Sequence, residues 1–502
     1  MNLPESFITR TSQQMGDENC KALCRALEKD SPVSIRMNKD KTEAVPADAQ
    51  QIPWTSAGYY LDNRPTFTFD PLFHAGCYYV QEASSMFVER AVREYVQSPV
   101  VALDLCAAPG GKSTLLRSVL PEGSFLIANE VMRNRSQVLA ENIVKWGHPE
   151  IMVTSNDPSD FTPLNGLFDL ILTDVPCSGE GMFRKDPVAI EEWSPANVEL
   201  CWERQRRILR DIWPCLKPGG ILIYSTCTYN REENEDNVAW IANELGAEVL
   251  AVPTKKEWNI TGNFTGTDNQ LRTEFPVYRF LPHQTVGEGL FLAVLRKEGT
   301  ADERANDFVL TEGLGKGKKN KKGKAVDKGG KERSKGDKGR GSDKGKGAVK
   351  PLTFPTELKG ALNMGDIEYD FWLEDGVARV IRSQWHGLYD LICSRLNVLH
   401  AGIILAEQKG KDWQPHHSLA MSMLLNRGYF PEAALTYEQA IAYLRKEAVT
   451  LDADVARGYV LLTFQGKALG FAKNIGNRAN NLYPQEWRIR SGYLPETIKM
   501  VF

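Results

Sequence analysis

Two stretches of this chain place a thiol where it could react. "LTDVPCSGEGMFRKD" carries Asp174, Cys177 and Lys185, and "YSTCTYNREENEDN" carries Cys227. Each cysteine follows directly on an apolar, strand-like run, "FDLILTDVP" and "GGILIYSTC". A third stretch, "VVALDLCAAPGGKSTLLRSVL" at 100–120, reads as a buried strand, a glycine turn and a helix. In an open α/β sheet the carboxyl ends of the strands share one crevice, so both thiols, Asp174 and the glycine turn are expected to face each other there. A single cysteine is usually an inert small hydrophobe. Two at one ligand edge, one of them beside a carboxylate, point to covalent chemistry.

A thiol, a carboxyl group and a second proton-handling group suit attack on an aromatic pyrimidine. C5 of cytosine is a poor nucleophile. A thiolate adding to C6 makes C5 enamine-like, so that it can attack an electrophilic methyl group, and one hard step becomes two easier ones. An acid near N3 assists the addition, and a base must remove the C5 proton before the thiolate leaves. The residue types alone do not choose between Cys177 and Cys227 as the nucleophile.

The glycine turn limits what can sit beside those thiols. A P-loop needs G-x-x-x-x-G-K-[ST]. Counting back from Gly111-Lys112-Ser113, its first glycine falls on Cys106. Pro109 also removes one amide from any phosphate cradle. The dinucleotide pattern G-x-G-x-x-G is absent. Glu130 ends the second strand, 19 positions after Gly111, where a carboxylate suits a ribose diol. Asp157 ends the third strand, placed to meet a base. A nucleoside without a polyphosphate, S-adenosylmethionine, fits these features.

The elements that must hold these groups are also readable. Strand-like runs at "VVALDLC", "SFLIANE", "IMVTSND", "FDLILTDVP" and "GGILIYSTC" alternate with helix-like stretches such as "RNRSQVLAENIVKWG". Strands apolar on both faces, alternating with helices, indicate an α/β, doubly wound, Rossmann-like parallel sheet. "EGLFLAVLRK" is expected to close that sheet. The expected division is a small N-terminal α+β module at 1–99, the sheet domain at 100–298, a basic linker at 299–350 and a C-terminal α+β, PUA-like domain at 351–502. The linker is the clearest boundary, because 314–350 contains almost no apolar side chain and is expected to be disordered.

With 502 residues, two to four domains are expected. The net charge of −3 conceals an asymmetry. Residues 316–350 hold 15 Lys/Arg against 4 Asp/Glu, a surplus of +11 that leaves −14 for the rest of the chain. A basic segment on an acidic body suggests contact with a polyanion; a solvated linker explains it equally well. No apolar run approaches the roughly 20 residues needed to span a bilayer, and the N-terminus does not read as a secretory signal. The nine cysteines include no CxxC pair, so no metal is expected, and a reducing cytoplasm is the expected location. His416 and His417 have no cysteine neighbours and are read as solvent-facing or structural.

The longest motifs resemble a known family. "LDLCAAPGGKST", "DVPCSGEGMFRKDP" and "YSTCTYNREENE" are similar to signature stretches of the RsmB/RsmF-type, Sun-related bacterial RNA (cytosine-5) methyltransferases. "SIRMNKDK" and "GCYYVQEASSM" resemble that family's N-terminal stretches, and "FLPHQTVGEGLFLAVLRK" the end of its catalytic domain. "HAGIILAEQKGKDWQPHHSLAMS" and "GYVLLTFQGKALGFAKNIGNRANNLYPQEWRIR" resemble the tail of the RsmF branch. The resemblance implies that the sheet is of class I methyltransferase type and that Cys106, Ala107, Ala108, Pro109, Gly110, Gly111 and Lys112 wrap S-adenosyl-L-methionine. It further implies that Glu130 holds the ribose, Asp157 lies by the adenine, and Asp174 spans cofactor and target base. It assigns the nucleophile to Cys227, proton removal or product release to Cys177, and a site-facing position to Lys185. "NDP" stands where such enzymes often have "NDG", which changes the neighbourhood of Asp157.

The implied activity is methyl transfer to C5 of a cytosine in 16S rRNA or the small ribosomal subunit, with tRNA as a second candidate and a monomer expected. A paired base must be rotated out of its stem, which calls for backbone contacts and stacking surfaces. Candidates are the basic segment, 184–186, and Lys467, Lys473, Arg478, Tyr483, Trp487 and Arg488, some of whose aromatics would instead form a small barrel core. Two other readings remain open: a catalytically idle RNA-binding or ribosome-assembly factor, and a DNA cytosine methyltransferase.

Overall fold

Alternating burial along the chain produces four sheets in a computed structural model that describes residues 1–47, 49–263, 275–299, 353–492 and 499–502. The basic segment at 316–350 lies outside the described residues. The N-terminal module pairs helices Glu5–Met15 and Asp17–Leu27 with a four-stranded sheet. Its strands are β1 (Val33–Met37), β2 (Gln50–Gln51), β3 (Gly58–Leu61) and β4 (Tyr78–Val80), in the order β2-β3-β1-β4.

The central sheet is built on β5 (Val101–Asp104), β6 (Phe125–Asn129), β7 (Ile151–Thr154), β8 (Phe168–Asp174) and β9 (Leu216–Thr226). These five run parallel, in the order β9-β8-β5-β6-β7. Every residue of β6 and of β7 is buried, which is why the sequence reads as apolar on both faces. Three antiparallel strands extend one edge: β12 (Leu290–Lys297) on β9, then β10 (Ala247–Leu250) and β11 (Val277–Phe280) on β12. The "EGLFLAVLRK" run is thus β12, a strand of this sheet as expected, but it does not close it, because β10 and β11 pair with its outer side.

The opposite edge is not made by the catalytic segment. Beyond β13 (Tyr369–Glu374) and β14 (Val377–Arg382), strand β15 (Val398–Ala401) pairs antiparallel with β7. The connection from β7 to β8 carries only the 3-10 turn Pro158–Leu164, not a full crossover helix. Helix His386–Cys393 supplies apolar cover in its place. Its Leu388 and Ile392 pack in one core cluster with Phe125, Ile127, Met152 and Phe161, and the Trp385 and Phe125 rings lie 5.4 Å apart. Arg382 ion-pairs with Glu150 at 2.7 Å, and Gln384 donates to the Gly123 carbonyl. A segment on the far side of the basic linker therefore completes the central sheet.

The remaining strands form two small sheets. One is β13-β14-β16-β17, with β16 (Ile403–Lys409) and β17 (Asp412–Pro415). The other is β18-β19-β20-β21, with β18 (Glu432–Ala434), β19 (Gly458–Phe464), β20 (Lys467–Asn474) and β21 (Ala479–Asn481). Tyr483 is fully buried against Tyr443 and His417, the barrel-core role for that aromatic. His416 accepts the Ser418 amide at the start of a short helix, and His417 is buried, so both are structural. Lys467 donates to the Lys41 carbonyl, and Tyr437 to the Phe69 carbonyl, which docks this sheet on the N-terminal module. Among the described residues, no helix is long and apolar enough to cross a membrane, and no group of three or more His, Cys, Asp or Glu could hold a metal ion.

Candidate active site

The glycine turn leaves β5 and enters helix Gly111–Val119 through Gly110, whose φ of 115° lies in the region that disfavours side chains. Buried Asp104 anchors its start by accepting from Ser113 Oγ at 2.6 Å, and burial pushes its carboxyl up to about 7. Neighbouring elements hold the rest. Arg135 donates to the Ala108 carbonyl, and Asn142 to the Pro109 carbonyl, at 2.9 and 2.8 Å. From the N-terminal module, buried Arg36 donates to Thr114 Oγ1 at 2.6 Å and to Gln81 Oε1 at 2.7 Å, and stacks over Trp146. Burial lowers this guanidinium to about 9, against the opposing pull of Tyr79 and Glu89.

Asp174 ends β8 facing that turn. Its carboxylate accepts from Lys112 Nζ and from Ser225 Oγ, each at 2.8 Å. Burial alone would lower the Lys112 ammonium, but attraction and the hydrogen bond to Asp174 outweigh it and hold the group above its ordinary value. The two thiols meet alongside, with Cys177 Sγ and Cys227 Sγ 3.1 Å apart. The hydrogen bond to Cys227, followed by burial, pushes the Cys177 thiol well up.

Two loops carry these sulfurs, and a buried polar network locks them together. Glu180 accepts from the backbone amides of Tyr229 and Asn230 at 2.6 and 2.9 Å. Glu233 accepts from the Ser178 amide at 3.0 Å and from Gln205 at 2.7 Å. Asn230 Nδ2 donates to both carboxylates. Gly181 closes the contact by donating its amide to the Cys227 carbonyl at 2.7 Å. A Cβ on Gly181 would lie 2.4 Å from that oxygen, so no side chain fits there.

These groups surround a cavity of about 360 Å³. It is lined by Cys106, Ala107, Ala108, Pro109, Gly111, Lys112, Asp174, Lys185 and Cys227, together with Gln81, Glu82 and Glu288. The structure therefore brings together most of the residues singled out in the sequence. Cys177 stands behind Cys227, outside the lining, and Gly110 is likewise outside it. Lys185 Nζ lies 3.7 Å from Glu288, whose other oxygen accepts from Arg184 Nε at 2.7 Å. Glu130 and Asp157 are further along the same strand ends and do not line this cavity. Glu130 is buried, accepting the Met132 amide and facing Arg135 at 3.4 Å. Asp157 caps the 3-10 turn, accepting from Ser159, and pairs with Arg207 at 3.2 Å. Burial works against its ionisation, but these partners hold its carboxyl below the usual range. Pro158 opens that turn directly after the Asp157 cap.

Sequence reasoning gave no role to Glu180, Asn230, Glu233, Gln81 or Glu288. Each lies inside a quoted stretch. The available signal was the density of polar residues flanking each cysteine.

A larger open groove, about 770 Å³, adjoins the cavity and shares Val80, Gln81, Glu82 and Lys185 with it. Of the shared residues, Val80 ends β4 of the N-terminal module, and Gln81 and Glu82 follow it.

Comparisons with known proteins agree with this architecture. Residues 96–296 match the family of 16S rRNA methyltransferase RsmB/F, 3–83 the N-terminal domain of 16S rRNA methyltransferase RsmF, and 430–489 the methyltransferase RsmF PUA domain. The chain is 30% identical to a ribosomal RNA small subunit methyltransferase F of Escherichia coli, covering 98% of this chain and 97% of the relative. It is 28% identical to one of Aliivibrio fischeri, covering 98% of each. A solved methyltransferase homologue from Pyrococcus horikoshii aligns with 59% of this chain and 95% of its own, at 29% identity and a TM-score of 0.50. The full-length match, carried by a methyltransferase sheet with the RsmF modules at both ends, means that this chain belongs to the RsmF branch of the RsmB/RsmF 16S rRNA methyltransferases.

Proposed function

We propose that this protein transfers a methyl group from S-adenosylmethionine to C5 of a cytosine in RNA, with 16S rRNA as the substrate, through a transient bond between Cys227 Sγ and C6. The observation that carries the reading is the convergence of two thiols and the Lys112–Asp174 pair on one cavity. The residues suit the cofactor: the turn lacks a phosphate cradle, Gly110 leaves the backbone open, and carboxylates of Asp174, Glu130 and Asp157 follow the strand ends, as a cationic nucleoside requires. Residues 106–112 and Glu130 would hold it, with Asp157 toward the base. When bound, S-adenosylmethionine supplies an electrophilic methyl group.

The chain's own residues handle the ring. Cys227, which lines the cavity with Cys177 Sγ 3.1 Å from its own sulfur, gives up its proton and attacks C6 as the thiolate. The Lys112–Asp174 pair, which lines the same cavity as Cys227, supports a role in stabilising the charge that develops on the ring as the S–C6 bond forms. The ring electrons then reach C5, which would take the methyl carbon as its bond to the sulfonium sulfur breaks, leaving S-adenosylhomocysteine. Cys177, once its thiol proton has passed to solvent, takes the C5 proton; the C5–H electron pair re-forms the C5–C6 double bond and expels the Cys227 thiolate.

RNA containing 5-fluorocytosine, in which C5 carries no proton to remove, should trap a covalent adduct on Cys227. Bisulfite sequencing of small-subunit RNA should lose 5-methylcytosine signal when the protein is deleted. No adduct, together with an unchanged methylation map, would leave an idle assembly factor as the better reading.

A further inference from the structure

The carboxyl ends of the central strands are fastened by side-chain amides that reach the C-terminal module. Asn129, ending β6, donates Nδ2 to the carbonyls of Leu105 and Asn156 at 3.1 and 3.0 Å. Its Oδ1 accepts the Asn156 amide at 3.1 Å and the Thr154 hydroxyl at 2.9 Å. Its own carbonyl accepts the Ala107 amide of the glycine turn at 2.8 Å. Asn156 then continues the chain outward. Its Nδ2 donates to the Asn397 carbonyl at 3.2 Å, and its Oδ1 accepts the Asn397 amide at 3.0 Å. The Ser155 amide donates to the same carbonyl. Asn397 immediately precedes β15, and Asn156, which is buried, immediately precedes Asp157.

We propose that Asn156 is a positioning residue for the cofactor, through which the C-terminal module fixes the exit of β7 and the glycine turn. The proposal rests on the cofactor reading above. Beyond the pairing of β15 with β7, side-chain ties join the C-terminal module to both ends of that strand. Arg382–Glu150 precedes β7, and Asn156–Asn397 follows it. Open α/β sheets bind ligands only beyond the carboxyl ends. Both ties hold the module, but only the Asn156–Asn397 tie lies at the ligand-binding end of the sheet. A neutral amide that makes two bonds to a single backbone residue also fixes the angle at which the chain leaves β7, and hence where the next carboxylate points.

The full-length protein, Asn156→Ala and Arg382→Ala should be compared by calorimetric titration with S-adenosylhomocysteine and by steady-state kinetics on RNA. Asn156→Ala should weaken S-adenosylhomocysteine and raise KM for S-adenosylmethionine by about tenfold, with kcat at saturating cofactor held within about twofold. Arg382→Ala should lower the melting temperature yet leave cofactor affinity within about twofold. Asn156→Asp keeps the acceptor for the Asn397 amide and loses the donor, so it should fall between wild type and alanine and serves if alanine does not fold. Unchanged affinity in the Asn156 variants overturns the proposal, as does an equal loss in Arg382→Ala, which would reduce the contact to general docking. A wild-type protein that fails to bind S-adenosylhomocysteine would overturn the cofactor reading itself.

Discussion

Glu180 and Glu233 each bind the backbone of the other's loop: Glu180 takes the amides of Tyr229 and Asn230, and Glu233 takes the amide of Ser178. The cysteine loops after β8 and β9 are thus held by a reciprocal clasp rather than by packing alone. Truncating either carboxylate leaves several buried donors unpaired, each costing about 1–3 kcal/mol. Glu233→Ala should therefore lose about 3 kcal/mol of stability in urea unfolding and at least tenfold in turnover. Burial raises the Glu233 carboxyl to about 7, so the neutral Glu233→Gln should retain more stability than alanine. Equal losses in both variants would mean that the acceptor geometry is irrelevant.

The sulfur pair separates two roles by mutation. On the proposed mechanism, Cys227→Ala lacks the nucleophile and should abolish methyl transfer while leaving cofactor affinity within about twofold. On the same mechanism, Cys177→Ala keeps the attacking sulfur and lacks the group that takes the C5 proton. It should accumulate an RNA adduct resistant to denaturing electrophoresis. Residual turnover in Cys227→Ala would show that the nucleophile is misassigned, and a Cys177→Ala protein without adduct would remove the release role.

Gly181 tests how closely the loops must approach. A Cβ there meets the Cys227 carbonyl at 2.4 Å, so Gly181→Ala must push the nucleophile's backbone away from the cavity. Overpacking of this kind costs about 1–3 kcal/mol. The kinetic effect should be larger than the stability effect, because a displaced reacting atom loses its attack geometry. Gly181→Ala should lower kcat by more than tenfold, roughly 1.4 kcal/mol or more of barrier, with KM for the cofactor little changed.

The C-terminal module is part of the catalytic core. A fragment ending at residue 299 loses β15 and the helix His386–Cys393, exposing the edge of β7 and the face formed by Phe125, Ile127 and Met152. Each large side chain uncovered forfeits roughly 1.5–3 kcal/mol. The fragment should bind hydrophobic dyes and unfold without a sharp transition. A cooperative melt matching the full-length protein would show that the sheet is self-sufficient.

Legibility in the sequence followed the range of the forces involved. The five parallel strands were readable because burial on both faces writes continuous apolar runs, as in "FLIAN" of β6. The glycine turn and both crevice cysteines were readable because strand ends fix their location. Strand β15 was not, since "VLHA" is four residues long and its partner β7 lies more than 240 positions earlier. Nothing local distinguishes it from an ordinary short strand. Glu180 and Glu233 resemble solvated carboxylates in a polar stretch, and only the folded contact shows that they are buried acceptors. Asp157 was placed correctly at the end of β7, but its capping bond and its pairing with Arg207 depend on the helix Pro195–Ile212 packed alongside.

Acid should unfold this protein before it discharges the surface carboxylates. Burial holds His74 and His400 down to about 3 and His416 down to about 4, and holds His148 and His417 well below their ordinary value of 6.5. A depressed base binds fewer protons folded than unfolded, so its stabilisation is complete above about pH 6.5 and is lost as the pH falls toward the folded value. Asp104 and Glu233 act oppositely. Burial raises both to about 7, so the folded state takes up their protons first and gains stability between about pH 7 and about pH 4. Burial also depresses His283 and raises Asp70 and Asp236, so six histidines against four raised carboxyls still leave a net loss on acidification, each net proton contributing about 1.4 kcal/mol per pH unit. Melting temperatures should therefore fall steadily from about pH 7 to about pH 5. His74 Nε2 lies 2.9 Å from the Thr68 carbonyl, a bond that an amide can replace. His74→Gln should accordingly flatten the profile by close to one proton's worth of slope; an unaltered slope would mean that this imidazole is charged in the folded protein.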